Sequence, residues 1–103
     1  MEHFLNNDSR GRTTKDGIRI YDRADFAGMH AAGKVAAQIL DDISAHIFPG
    51  QTTAEIDRLI TEMVDAAGAT SATIGYKGYQ HASCISVNHV VCHGIPGAKM
   101  LKD

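Results

Sequence analysis

No stretch of this sequence approaches the roughly 18 consecutive apolar residues that span a bilayer, so no membrane-spanning helix is expected. The opening, MEHFLNNDSRGRTTKDG, has no apolar core segment of the kind a secretory signal needs. Cysteine is scarce, with only Cys84 and Cys92, whereas a small secreted domain held by disulfides carries more. Reduced thiols and a cytoplasmic location follow as expectations. An excess of charge is also missing. Ten Lys and Arg against 12 Asp and Glu leave a formal net charge of -2 and no basic run, which argues against nucleic-acid binding. Hydrophobicity is not low enough for disorder throughout. An apolar fraction of 44% and a charged fraction of 21% over 103 residues fit one soluble globular domain.

Met1 to Gly17 is polar and without hydrophobic period, and it is expected to be a flexible N-terminal extension, with order beginning near Ile18. From Asp22 to about Ile47 the spacing predicts a helix. Phe26, Met29, Gly33, Ala36, Leu40, Ile43 and Ile47 share one face, and Asp22 is the N-cap. The small residues Gly28, Ala31, Ala32 and Gly33 suggest close packing against another element. Pro49-Gly50 ends the helix. Thr52 and Glu55 have capping-box spacing and open a second helix with the stripe Ile56, Leu59, Ile60, Met63 and Val64, stopped by Gly68. Beyond Gly68 the period shortens. Cys84, Ser86 and Asn88 alternate with Ile85 and Val87, which predicts two or three short antiparallel strands joined by glycine turns. The fold class expected is α/β (α+β): two helices followed by short antiparallel strands.

Three groups of residues could carry chemistry. His81, Cys84, His89, Cys92 and His93 crowd into thirteen residues with His-x-x-Cys intervals, as in a small zinc site. Strand residues three apart face opposite sides, however, so His81 and Cys84 could share an ion only across a turn, and both cysteines also read as small apolar side chains. Gly75-Tyr76-Lys77-Gly78-Tyr79 reads either as surface aromatics or as a rigid pocket wall, and it is no phosphate loop. Cys92-His93-Gly94-Ile95-Pro96 places a histidine before a turn, where it could face a cleft or sit satisfied at an edge. Neighbouring strand residues point apart, so Cys92 and His93 make a poor nucleophilic pair.

With these segments in view, the chain resembles the N-terminal part of type I methionine aminopeptidases from about Ile18 to Asp103. The carrying motifs are Met29-His-Ala-Ala-Gly33, the Pro49-Gly50 turn with Thr52, Glu55-x-Asp57, GYKGY and CISVNHVVCHGIP. The resemblance implies part of a "pita-bread" fold closing over two divalent metal ions (Co, Mn, Fe, Zn or similar). It also implies removal of the initiator methionine from nascent polypeptides whose second residue is small. Carried over, His93 is the catalytic histidine that hydrogen-bonds substrate near the scissile amide. Tyr76, Tyr79, Cys84 and His93 bind substrate, the first three lining the methionine side-chain pocket. The backbone carbonyls of Asn88 and Val90 match a monovalent-cation site of some relatives. Thr73 and Lys77 depart from the pattern of some bacterial relatives, which have cysteine and histidine there.

The family's metal ligands (two Asp, one His, two Glu) are expected beyond the position of Asp103. Residues 18–103 are therefore expected to be the substrate-pocket part of a catalytic domain, inactive alone and holding none of the dinuclear ligands. The competing reading is an inactive binding or interaction module, associating with itself or with ribosomes through apolar surface that a missing half would cover.

Overall fold

This computed structural model describes residues 11–103, so the first ten residues of the expected extension lie outside the described residues. The chain begins with a two-stranded antiparallel ladder. β1 (Arg12–Thr13) pairs with β2 (Arg19–Ile20) in the register Arg12 to Ile20 and Thr13 to Arg19. Gly11 has φ +72, and a Cβ there would press on the Ile20 carbonyl, so glycine is needed at this end of the ladder.

Helix α1 (Arg23–Ser44) starts at Asp22, as its sequence predicts. The Asp22 carboxylate accepts from the Asp25 amide at 3.2 Å while Asp25 returns the bond to the Asp22 amide at 2.9 Å, a reciprocal capping box. The helix stops at Ser44, earlier than the expected Ile47, and His46 Nδ1 then lies 2.9 Å from the Asp42 carbonyl. Helix α2 (Thr53–Ala66) opens on Thr52, whose hydroxyl accepts from the Glu55 amide at 3.2 Å. It closes on Gly68 at φ +69, with the Gly68 amide donating to Asp65 and the Ala69 amide to Val64, a Schellman stop.

The two helices pack against each other, and their seam differs in part from the predicted one. On α2 the apolar buried and half-buried positions are Ile56, Leu59, Ile60, Met63 and Val64, as expected. On α1 only Ile43 of the predicted face is buried, and the seam runs along Val35, Ile39 and Ile43. Val35 and Ile39 share a crevice with Met63 and Ala66. Phe26, Met29 and Leu40 are 62%, 74% and 69% exposed. The physical reason is that, among the described residues, α2 is the one helix that covers α1, and a single neighbour buries a narrower stripe than the full apolar arc. The small residues Gly28 and Gly33 also differ from expectation, since a Cβ on either would meet nothing within 4 Å.

Beyond α2 the expected strands are largely replaced by turns. Residues 70–99 contain a short 3-10 turn (Tyr76–Gly78) and local pairings but no regular strand. The sheet partners that would flatten this backbone are lacking among the described residues, so its alternating side chains ride on loops. The last segment docks on the start of α2. Thr52 bridges Met100 in antiparallel fashion, the Gly50 amide donates to Leu101, the Leu101 amide to Gln51, the Thr53 amide to Lys99 and the Ala54 amide to Gly97. Thr53 is 1% exposed, and its hydroxyl oxygen accepts from the Gly97 amide at 2.8 Å. Gln51, also buried, donates to the His46 carbonyl. The loop region is thereby fixed at both ends to one helix.

Candidate functional site

A cleft of about 600 Å³ opens in the loop region, lined by Ala72, Thr73, Tyr76, Lys77, Gly78, Tyr79, Cys84, His93 and Ile95. Three successive short segments between Ala72 and Ile95 build its walls.

The first wall is the Gly75–Tyr79 loop. Gly75 and Gly78 have φ +85 and +82, and Lys77 between them is also left-handed at φ 49. A non-glycine residue there stores about 1 kcal/mol of strain or more. The tight path is held by the Gly75 amide donating to the Tyr79 carbonyl at 2.7 Å and the Tyr79 amide to the Tyr76 carbonyl at 3.0 Å. Both tyrosines are thus presented on one short loop. The Lys77 ammonium stands 5.4 Å from the centre of the Tyr76 ring, a cation–π contact at the rim.

The second wall is residues 81–84, which hydroxyl groups suspend. Thr73 Oγ1 donates to the His81 carbonyl at 2.6 Å, Ser71 Oγ to the Ala82 carbonyl at 2.8 Å and the Tyr79 hydroxyl to the Ser83 carbonyl at 2.7 Å. The Cys84 thiol donates to the Tyr79 hydroxyl at 3.6 Å. This partnership, with desolvation and then the neighbouring Cys84 and Asp57 charges, pushes the Tyr79 phenol from 10.0 up to about 12. Tyr79 therefore faces the cleft as a neutral phenol with its hydroxyl already engaged.

The third wall carries His93. The Val90 amide donates to the Val87 carbonyl, closing a turn in which Asn88 is left-handed at φ 53. The chain then returns alongside itself, the Ile85 amide donating to the Gly94 carbonyl at 2.7 Å and the Gly94 amide to Ser86 Oγ at 3.2 Å. The approach is so close that a Cβ on Gly94 would run into the Ile85 carbonyl. This contact sets His93 and Ile95 opposite Cys84. His93 itself is left-handed at φ 54, an uncommon state for a histidine and a recurrent one at functional sites.

The structure thus brings Tyr76, Tyr79, Cys84 and His93 into one cleft, and it leaves Asn88 and Val90 in the neighbouring turn. It does not assemble the candidate zinc ligands. His81 turns away to Asp57, with Nδ1 3.4 Å from Oδ2, and Cys84 and Cys92 are free thiols. Among the described residues no three His, Cys, Asp or Glu side chains are grouped to hold a metal ion. A metallopeptidase centre does not fit these residues by themselves. No helix among the described residues is long and apolar enough to cross a membrane.

Sequence reasoning named Asp57 only within a family motif and gave it no role, and it passed over Ser83. Asp57 is 8% exposed, and its Oδ1 accepts from Ser83 Oγ at 2.7 Å. The available signal was its position: Thr53, Ile56, Asp57, Ile60 and Val64 lie on one helical face, so a carboxylate stands inside the apolar stripe.

Comparison with known proteins gives the family and the fold. Residues 27–103 match the model of metallopeptidase family M24. A methionine aminopeptidase of Rickettsia prowazekii is 44% identical over 86 residues, covering 84% of this chain and 33% of that protein. The Salmonella typhimurium methionine aminopeptidase is 48% identical over 88 residues, with the same shares. The crystal structure of the Rickettsia prowazekii methionine aminopeptidase superimposes with a TM-score of 0.77 at 45% identity, covering 82% of this chain and 34% of that one. The fold is therefore part of the methionine aminopeptidase fold, and the chain spans about a third of the length of these relatives. A family match over most of the sequence, with a structural match across the same region, means that the chain belongs to metallopeptidase family M24.

Proposed function

We propose that this chain supplies the substrate-pocket part of a methionyl aminopeptidase, a cytoplasmic hydrolase acting on nascent polypeptides with an N-terminal methionine. The carrying observation is the single cleft that collects Tyr76, Tyr79, Cys84, His93 and Ile95. A thioether side chain is polarizable and favours aromatic edges and sulfur, which two tyrosines and a cysteine provide. The Tyr79 hydroxyl is already bonded to Ser83, so it leaves an apolar ring face toward the cleft. His93 stands across from this wall and hydrogen-bonds the substrate beside its first amide.

The two divalent metal ions of such enzymes, when bound, activate water and polarise a carbonyl. The described residues offer no ligand group for them, so the role assigned here is binding and orientation. The turn carrying Asn88 and Val90 is the corresponding place for a monovalent cation held by backbone carbonyls.

Titration of the chain with L-methionine amide, followed by NMR, tests the pocket. Shifts confined to Tyr76, Tyr79, Cys84 and His93 are expected, and saturation without any response at these residues refutes it. Incubation with a Met-Ala-Ser peptide and added Co(II) or Mn(II) is expected to release no methionine, and metal-dependent release refutes the assignment of binding alone. The exposed Phe26, Met29 and Leu40 favour a second reading, an interaction module that associates through α1. A stable dimer in sedimentation, lost on Met29→Glu, with a cleft that ignores methionine amide, would favour that reading.

A further inference from the structure

The strongest unassigned cluster lies behind the cleft rather than in it. Asp57 projects from the middle of the first half of α2 and is nearly enclosed, at 8% exposure. Its two oxygens are divided between two residues of the second wall. Oδ1 accepts from Ser83 Oγ at 2.7 Å, and Oδ2 lies 3.4 Å from His81 Nδ1, an ion-pair distance when the ring is protonated.

Ser, His and Asp together suggest a nucleophilic triad, but the order of contacts excludes one. The carboxylate sits between serine and histidine, and the serine hydroxyl donates to the carboxylate rather than to the imidazole. No base is poised to take its proton from the far side. A charged acceptor gripping a hydroxyl instead makes a strong mechanical link.

That link leads directly to the cleft. The carbonyl of the same Ser83 accepts the Tyr79 hydroxyl at 2.7 Å, and that hydroxyl accepts from the Cys84 thiol at 3.6 Å. The His81 ring meets the Tyr79 ring edge-on, with centres 5.4 Å apart and planes at 71°. Asp57 therefore contacts both neighbours of Tyr79: Ser83, whose carbonyl accepts the Tyr79 hydroxyl, and His81, whose ring packs against the Tyr79 ring. The second wall has no regular secondary structure of its own to fix it. The negative charge of Asp57 also contributes to keeping the Tyr79 phenol neutral.

We infer that Asp57 is a positioning residue, which through Ser83 and His81 sets Tyr79 and Cys84 at the separation that receives a flexible apolar side chain. The selectivity of the cleft is thus set from α2. This inference rests on the pocket assignment above, because it names what fixes the shape of that pocket.

A double-mutant cycle on the full chain tests it, with L-methionine amide as the probe. Asp57→Ala and Ser83→Ala are each expected to weaken binding about tenfold, the ordinary effect of losing a charge-assisted bond. The double variant is expected to be no weaker than Asp57→Ala alone, because Ser83→Ala breaks a link that Asp57→Ala already removes. Asp57→Asn retains an acceptor for Ser83 and is expected to recover most of the loss. Additive single effects, or wild-type binding by Asp57→Ala, overturn the proposal.

Alkylation of Cys84 by iodoacetamide, with exposed Cys92 as internal reference, reads the wall independently of methionine. Asp57→Ala and Ser83→Ala are expected to change the Cys84 rate in the same direction, Asp57→Ala by at least as much, and leave Cys92 unchanged. Should the wild-type chain bind no methionine amide, the pocket assignment fails while this rate still decides the positioning role. Unchanged Cys84 rates in both variants overturn it.

Discussion

Replacing Gly94 with alanine places a methyl group against the Ile85 carbonyl oxygen, 2.7 Å from its carbon and 2.9 Å from Ser86 Cα. The obstacle is backbone, which cannot swing aside as a long side chain can, so the two paired segments must separate. Separation stretches two hydrogen bonds, Ile85 amide to Gly94 carbonyl at 2.7 Å and Gly94 amide to Ser86 Oγ at 3.2 Å. At about 1 kcal/mol net for each, the loss is about 2 kcal/mol, within the ~1–3 kcal/mol of overpacking elsewhere. For a domain near 100 residues this lowers the melting temperature by roughly 8–16 °C. Circular dichroism melting is the assay. Gly97→Ala is the control, because its new Cβ would meet only the Ile95 carbonyl oxygen at 3.9 Å, an ordinary contact. If the Gly94→Ala and Gly97→Ala chains melt together, the close approach that fixes His93 opposite Cys84 is not real.

Gly33→Ala meets nothing within 4 Å on α1 and is expected to raise stability by about 0.5–1 kcal/mol in urea unfolding. Thr53→Val keeps the shape of a residue that is 1% exposed but removes the partner of the Gly97 amide, and it should cost about 1–3 kcal/mol in the same assay. Asp22→Ala breaks the capping box of α1 and should cost about 1 kcal/mol, with amide exchange of the first turn accelerated. Folding raises the Tyr79 phenol from 10.0 to about 12, so its contribution is fully present below pH 10 and is lost as pH climbs to about 12. Across that window unfolding midpoints should fall less steeply in Tyr79→Phe than in the wild-type chain.

The helices were legible in the sequence because their determinants are local. Asp22, Thr52 and Gly68 act within one turn of the backbone and stand at their expected helix ends, although of the expected Thr52–Glu55 capping box the structure shows one half, the Glu55 amide donating to the Thr52 hydroxyl. The seam of α1 was not, because periodicity shows which face is apolar and not how much of it a neighbour covers. Alternation from Cys84 to Asn88 predicted strands, but a strand needs a partner, and Ile85 finds only Gly94. The wall residues Tyr76, Tyr79, Cys84 and His93 were named through family resemblance, and the cleft now gathers them. Asp57 was named only as part of a motif, without a role, because a carboxylate beside Arg58 on a helix reads as solvated surface. Only the fold shows that Ser83, 26 positions later, comes back to it.

The docking of Gly97 to Leu101 on the start of α2 also has a kinetic consequence. The Thr53–Gly97 bonds join residues 44 positions apart, whereas the helical hairpin needs only neighbours in the chain. Local pairs form early, and closing a long loop must wait until its entropy is offset by contacts already made. During synthesis the hairpin can therefore assemble while the cleft is still open chain. The aromatic loop, the Asp57 link and the His93 turn all lie between the two ends of that closure, so they gain their mutual order in one late step. Pulse-labelled amide exchange should show α1 and α2 protected first, with Ile85 and Gly94 following together.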